Sequence, residues 1–152
     1  MKLEVIFDPE ASEDTITIRA RERTDMITHV ESAIRGAIKG DSPIQLSIKE
    51  TDYFIPKSDI LYFETEDGVV KAHTADKIFT SHQKLFELEE TLPPTFLRIS
   101  KSCIVNVSKV EAIRKNPLGA SEVFLRGTPK KVYASRFYYK ALREKLETHF
   151  ST

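Results

Sequence analysis

The chain has 152 residues, 40% of them hydrophobic and 30% charged, with one cysteine and no tryptophan. That length and apolar fraction suit one domain with a small appendage, and the single Cys excludes a disulfide scaffold and a cysteine-built zinc site. No apolar run approaches the roughly eighteen residues of a membrane span, and Asp8 comes too early for a signal peptide, so a cytoplasmic protein is expected.

Formal net charge is zero, but its distribution is not even. Residues 1–97 carry 11 Lys/Arg against 19 Asp/Glu, and residues 98–152 carry 12 against 4. A basic last third of net +8 suits a polyanionic partner; the alternative is two halves that neutralise each other.

Leu3–Phe7 and Thr15–Arg21 read as two strands joined through Asp8-Pro9-Glu10, with Ile16 and Ile18 alternating with polar neighbours. Ile27, Val30, Ile34 and Ile38 then recur at helical spacing, behind Thr24 as N-cap and ahead of Gly40 as stop. Residues 1–43 are therefore expected to form a small ββα unit, with Gly40-Asp41-Ser42-Pro43 as a linker or an ordinary loop. From Ile44 the pattern changes to short strands and tight turns. Gln45–Lys49 and Tyr53–Pro56 flank one turn; Ile60–Thr65 and Val69–Thr74 flank Glu66-Asp67-Gly68, a hairpin signal.

A helix follows, with Leu85, Leu88 and Leu92 on one face, Thr80 and Gln83 as a capping box, and Pro93-Pro94 as its stop. Strands resume at Leu97–Ile99, Cys103–Val107, Val110–Lys115, Ser121–Arg126 and Lys130–Ala134, with a turn at Asn116-Pro117-Leu118-Gly119. The last helix is expected from Arg136 to His149, capped by Ser135 and burying Phe137, Ala141, Leu142, Leu146 and Phe150. The whole reads as a β-dominated α+β chain.

Enzyme signals are missing. His29, His73, His82 and His149 lie in four different segments, the five glycines form no phosphate loop, and there is no G-x-S-x-G elbow. Neither catalysis nor a metal or cofactor is expected, and Cys103 reads as a small core residue.

The informative stretch is Phe96 to Asn106. Its inward register would be Leu97, Ile99, Lys101, Cys103 and Val105, and Lys101 cannot lie unpaired among apolar neighbours. The strand must bend at Ser100-Lys101-Ser102, leaving a turn with one cation and two hydroxyls, and Arg98 close behind. Such groups suit phosphates and base edges, although an ordinary solvated turn would look the same. Ala134-Ser135-Arg136 is the second candidate: a helix start with a basic side chain, Lys140 one turn on and Lys130-Lys131 upstream suits a phosphate. The plainer reading there is a cap with a surface cation.

These residues also carry a resemblance. I-x-Y-F-E over Ile60–Glu64, F-x-R-x-S-K-S-x-x-V-N over Phe96–Asn106, and Tyr133-Ala134-Ser135-Arg136 together resemble the LytTR family of bacterial DNA-binding domains, over about Ile44 to Thr148. The resemblance implies an elongated stack of short antiparallel sheets that lays loops into successive major grooves. It further implies DNA contacts by Arg98, Lys101, Ser102, Ser135 and Arg136, while Asn106, inside a strand, is expected to bond a neighbouring turn's backbone.

Ser100 stands where the family often has His, and Lys101 where it often has Arg; lysine lacks the planar two-bond fork, which favours phosphate contact. A third loop of the family falls at the Asp67-Gly68 hairpin, where Lys71 and His73 are the nearest candidates. The amino-terminal unit is too short for the receiver domain common in the family. It looks like the small lead of stand-alone members, which are often partnered with a small membrane protein.

The resulting expectation is a LytTR-type transcription regulator, with residues 44–152 binding duplex DNA through Arg98, Lys101, Ser102, Ser135, Arg136, Lys140 and Lys71. A homodimer on repeated half-sites is expected, with no insertion into the membrane. The alternative is a protein-interaction module whose basic face only balances charge; RNA binding ranks third, because the basic third lacks an aromatic-rich RNA-binding signature.

Overall fold

The computed structural model describes residues 1–38 and 42–149, and the chain divides into two compact units, Met1–Ile38 and Lys39–Thr152. In the first, helix α1 spans Asp25–Ile38. Thr24 caps it as expected: the Ile27 N–H donates to the Thr24 hydroxyl at 3.2 Å and the Thr28 N–H to its carbonyl at 3.0 Å. Gly40, the expected stop, lies outside the described residues.

The two strands expected at Leu3–Phe7 and Thr15–Arg21 are not formed. A turn does follow the first, where the Asp8 carboxylate accepts from the Glu10 N–H at 3.0 Å. The segments it joins make no ladder, and Leu3, Phe7 and Ile16 stay exposed. Alternation alone does not hold a two-stranded hairpin in water, because nothing within it covers the apolar face.

The second unit is ten strands and two helices. Strands β1 (Pro43–Ile48), β2 (Thr51–Pro56), β3 (Tyr62–Glu66), β4 (Val69–His73), β5 (Ile78–Thr80), β6 (Phe96–Ser100) and β7 (Cys103–Asn106) form one antiparallel sheet in the order β2-β1-β5-β4-β3-β7-β6. Strands β8 (Val110–Arg114), β9 (Ser121–Leu125) and β10 (Lys131–Ala134) form a second, in the order β10-β9-β8. Helix α2 (Leu85–Thr91) follows β5, and α3 (Arg136–His149) closes the described chain.

Antiparallel strands, two sheets and few helices confirm the β-dominated α+β reading. Asp67 (φ 51°) and Gly68 (φ 79°) both take left-handed backbone, which the tight turn between β3 and β4 requires. Strand β5 was not expected. The capping box at Thr80 and Gln83 is corrected as well: Thr80 belongs to β5, and the Glu87 carboxylate accepts from the Lys84 N–H at 3.0 Å.

Period-two alternation divides two strands between two cores. Tyr62, Cys103 and Val105 enter a core closed by Val123, Leu125, Val132 and Leu142, from the second sheet and α3. Their neighbours Phe63 and Ile104 enter another, with Leu46, Phe79, Leu85 and Leu88, under α2. Both faces of β7 are thus buried, which explains its unbroken apolar run. The corresponding prediction for α3 needs correction: Leu142 is buried and Leu146 half-buried, but Phe137 is 86% exposed and Ala141 is also exposed. Phe150 lies outside the described residues.

Candidate nucleic-acid interface

Ile99 and Cys103 are both fully buried, so the chain between them must reverse while keeping Lys101 out. It does so by ending β6 at Ser100, with a register shift between Arg98 and Ser100, and restarting at Cys103. Lys101 stands exposed at the tip. The Ser100 hydroxyl accepts from the Ser102 N–H at 3.2 Å and lies 3.3 Å from the Ser102 hydroxyl.

Arg98 is placed differently from the other expected contact residues. Its side chain is 19% exposed and each nitrogen of its guanidinium donates within the protein: Nε to the Ser100 carbonyl at 2.7 Å, Nη2 to the Lys101 carbonyl, and Nη1 to the Glu89 carboxylate on α2.

Two backbone hydrogen bonds bring three turns together. The Ser135 N–H donates to the Ile99 carbonyl at 2.8 Å, setting the start of α3 beside the 100–102 turn. The Thr65 N–H donates to the Ser102 carbonyl at 2.8 Å, which sets the β3–β4 hairpin on its other side. Ser135 caps α3 with its carbonyl, which accepts from Tyr138 and Tyr139; none of the described hydrogen bonds uses its hydroxyl. The first two N–H groups of α3, those of Arg136 and Phe137, have no partner among the described hydrogen bonds.

Several cations of the basic third are already paired. Arg114 and Lys131 share Glu122 at 3.1 and 2.9 Å, Arg143 holds Glu147 at 2.9 Å, and Arg126 donates to the Ser108 and Val110 carbonyls. Among the described residues Lys101, Arg136 and Lys140 form no ion pair, and all three are exposed. Lys71, in contrast, donates to the Thr80 hydroxyl at 3.0 Å, and the hairpin tip beside it carries the acids Glu66 and Asp67.

His73 is buried rather than available at the surface. Its ring stacks on Tyr62 with centroids 4.3 Å apart, and its Nδ1 lies 3.1 Å from the Tyr62 hydroxyl and 3.3 Å from the Lys130 ammonium. The Lys130 ammonium can only donate, which makes Nδ1 an acceptor and favours the neutral ring with its proton on Nε2. Nε2 has no hydrogen-bond partner; the nearest carboxylate oxygen, of Glu66, is 3.7 Å away. Burial above all, and then the Lys130 charge, hold the His73 pKa below its ordinary value. Lys130 also donates to the Thr74 carbonyl at 3.2 Å, and so ties the hairpin of the second sheet to the first.

Asn106 does what its strand position implied: its amide donates to the Ile60 carbonyl at 3.0 Å and its oxygen accepts from the Ser108 N–H at 3.1 Å. Cys103 is a core residue whose thiol pKa is pushed up by burial. Glu89 left no signal in the sequence, while Lys130 read as a cation beside a phosphate and proves to bond His73 and Thr74, and Phe137 read as buried and proves to be exposed.

Short antiparallel sheets thus line up three turns, and two of them carry exposed cations without ion pairs among the described residues: Lys101 on the 100–102 turn and Arg136 at the start of α3. Residues 50–147 match the family described as the LytTr DNA-binding domain. An HTH-type transcriptional regulator of Staphylococcus aureus strain MSSA476 is 32% identical over 146 residues, covering 96% of this chain and 98% of the relative. Its counterparts in strains MW2 and NCTC 8325 match to the same extent. The solved LytTr DNA-binding domain of a methyl-accepting/DNA response regulator from Bacillus cereus superposes with a TM-score of 0.64 at 26% identity, covering 70% of this chain and 98% of that one.

The chain belongs to the LytTR DNA-binding domain family. Strands separate every pair of helices among the described residues, so the "HTH-type" in the relatives' names does not describe this fold. No described helix is long and apolar enough to cross a membrane.

Proposed function

We propose that the protein is a transcription regulator that binds duplex DNA sequence-specifically through the 100–102 turn and the start of α3, as a homodimer on repeated half-sites. What carries this reading is the Ser135-to-Ile99 backbone bond, which sets Lys101 and Ser102 beside Ser135, Arg136 and, one helical turn on, Lys140. Cations without internal partners can neutralise phosphates, and neighbouring hydroxyls can reach base edges. Lys71 and Arg98 stay outside this contact set because each is already held within the protein, Lys71 by Thr80 and Arg98 by the 100–102 turn and Glu89. The first unit, shared with relatives that align over almost the whole chain, supplies self-association through its exposed apolar side chains. A small membrane-protein regulator is the second candidate for that surface.

Fluorescence anisotropy with labelled duplex DNA tests the reading. With about four to six phosphates neutralised, log affinity falls against log salt with a slope of roughly −4 to −5. A slope near zero removes the electrostatic argument and leaves the protein-interaction alternative standing.

A further inference from the structure

Arg98 lies in the DNA-binding motif, yet its guanidinium faces the protein. Both carbonyls it holds, those of Ser100 and Lys101, belong to the turn that carries Lys101. A trans peptide points its N–H opposite to its C=O. Pulling both carbonyls toward Arg98 therefore turns the Lys101 and Ser102 N–H groups away from it, toward the side where the two serine hydroxyls meet. The Ser102 N–H is taken up by the Ser100 hydroxyl, and the Lys101 N–H has no acceptor among the described residues. The turn thus offers an amide and two hydroxyls on one side and carries the exposed Lys101, a set that suits a phosphate oxygen. The third branch of the guanidinium is anchored by Glu89 on α2, a helix that packs its Leu85 and Leu88 into the core under the sheet.

We infer that Arg98 and Glu89 form a positioning clamp: Glu89 fixes the guanidinium, the guanidinium fixes the turn, and neither side chain touches DNA. This deepens the proposed DNA-binding function and rests on it. The clamp needs a planar group with donors in three directions, so lysine cannot replace Arg98 even though the charge is kept. The role of Glu89 runs against simple electrostatics. Removing an acid from a protein that binds a polyanion strengthens binding unless that acid holds the contact surface in shape.

The test uses the full chain, a duplex that the parent protein enriches from a random pool, and a shuffled duplex of the same composition. Glu89→Gln is expected to bind the enriched duplex about five- to thirty-fold more weakly, with affinity for the shuffled duplex unchanged or higher. Arg98→Lys is expected to lose as much, and its salt slope on the enriched duplex should shrink by about one as Lys101 leaves its phosphate. Equal or tighter binding of the enriched duplex by Glu89→Gln overturns the clamp. So does parental affinity and slope in Arg98→Lys, which would make Arg98 a plain phosphate contact. If Arg98→Lys does not fold, Glu89→Gln decides alone, since its side chain is 44% exposed and its loss leaves the core intact. If the parent enriches no duplex, the DNA reading fails before any variant is made, and the clamp fails with it.

Discussion

Two kinds of residue shape this molecule: cations left free at the surface and polar groups locked inside it. Lys101 and Arg136 are of the first kind. Each should lose about 1–3 kcal/mol of DNA binding on substitution by alanine. Neither makes an ion pair or a core contact among the described residues, so thermal stability should stay within about 0.5 kcal/mol of the parent. Anisotropy paired with thermal melts checks both. Variants that fold normally and bind like the parent refute the assignment of those side chains.

His73 is of the second kind. Its folded pKa lies below the unfolded value, so on acidification the unfolded chain takes up a proton that the native ring refuses. Its contribution is complete at pH values above the ordinary histidine range and is lost as pH falls through that range toward the depressed folded value. Glu64, whose carboxyl is pushed up by burial, works in the opposite sense, so the informative quantity is a difference between proteins. The parent's melting temperature should fall more between pH 7.5 and pH 5.5 than that of His73→Asn. Parallel curves would show that the ring is not held neutral.

At the scale of elements, what the sequence pattern made legible was decided by whether burial acted on both faces or one. Most strands between Gln45 and Ala134 were readable because their inward side chains enter one of two cores, and Lys101 marked its own turn by having nowhere to be buried. Strand β5 was not readable: three residues, held to β1 by the single pair Ser47–Thr80, are too short to show a period. The amino-terminal alternation misled for the opposite reason, showing a strand pattern without a partner to pair with. On α3, the stripes Phe137/Ala141 and Tyr138/Leu142 differ by one residue of rotation, which periodicity cannot resolve. The Ser135-to-Ile99 bond fixes where the helix starts, and so turns the second stripe inward.

Of the candidate site, Lys101, Ser102, Ser135 and Arg136 stood out in the sequence as two separate segments, and the Ser135-to-Ile99 bond that sets them side by side was not legible there. Nor was the internal engagement of Arg98, because it depends on Glu89, nine residues away on another element. The β3–β4 turn yields a prediction at this scale. Nothing lies within 4 Å of a side chain added at Gly68, but its φ of +79° strains any L-residue. Gly68→Ala should therefore cost about 1–2 kcal/mol with no steric clash, read from denaturant midpoints. A neutral result would mean that the hairpin adopts another turn.

For the whole molecule, the open question is what the acidic first unit does. Residues 1–41 hold six Lys/Arg against nine Asp/Glu, so a 42–152 fragment carries net +3 where the full chain is neutral. The fragment keeps every strand of both sheets, since β1 begins at Pro43 and pairs with β2 through Pro43–Pro56. It should fold, and it should bind a shuffled duplex at least as tightly as the full chain, because a net acidic segment has been removed.

Self-association should separate the two proteins. Leu3, Ile6 and Phe7 are each at least 80% exposed in the first unit, with Val5, Ile16 and Met26 above 60%. Two copies that cover these side chains would also give the segments Leu3–Phe7 and Thr15–Arg21, whose alternation suits a strand, a partner to pair with. Light scattering should then give the full chain twice the mass per molecule that its sequence specifies, and the fragment its own mass. On a duplex with two repeated half-sites the fragment should bind about a hundredfold more weakly, since avidity is lost while each contact remains. Equal states of association in the two proteins would sink the dimer and leave a partner protein as the occupant of that surface. An insoluble fragment would instead show that the DNA-binding part does not stand alone.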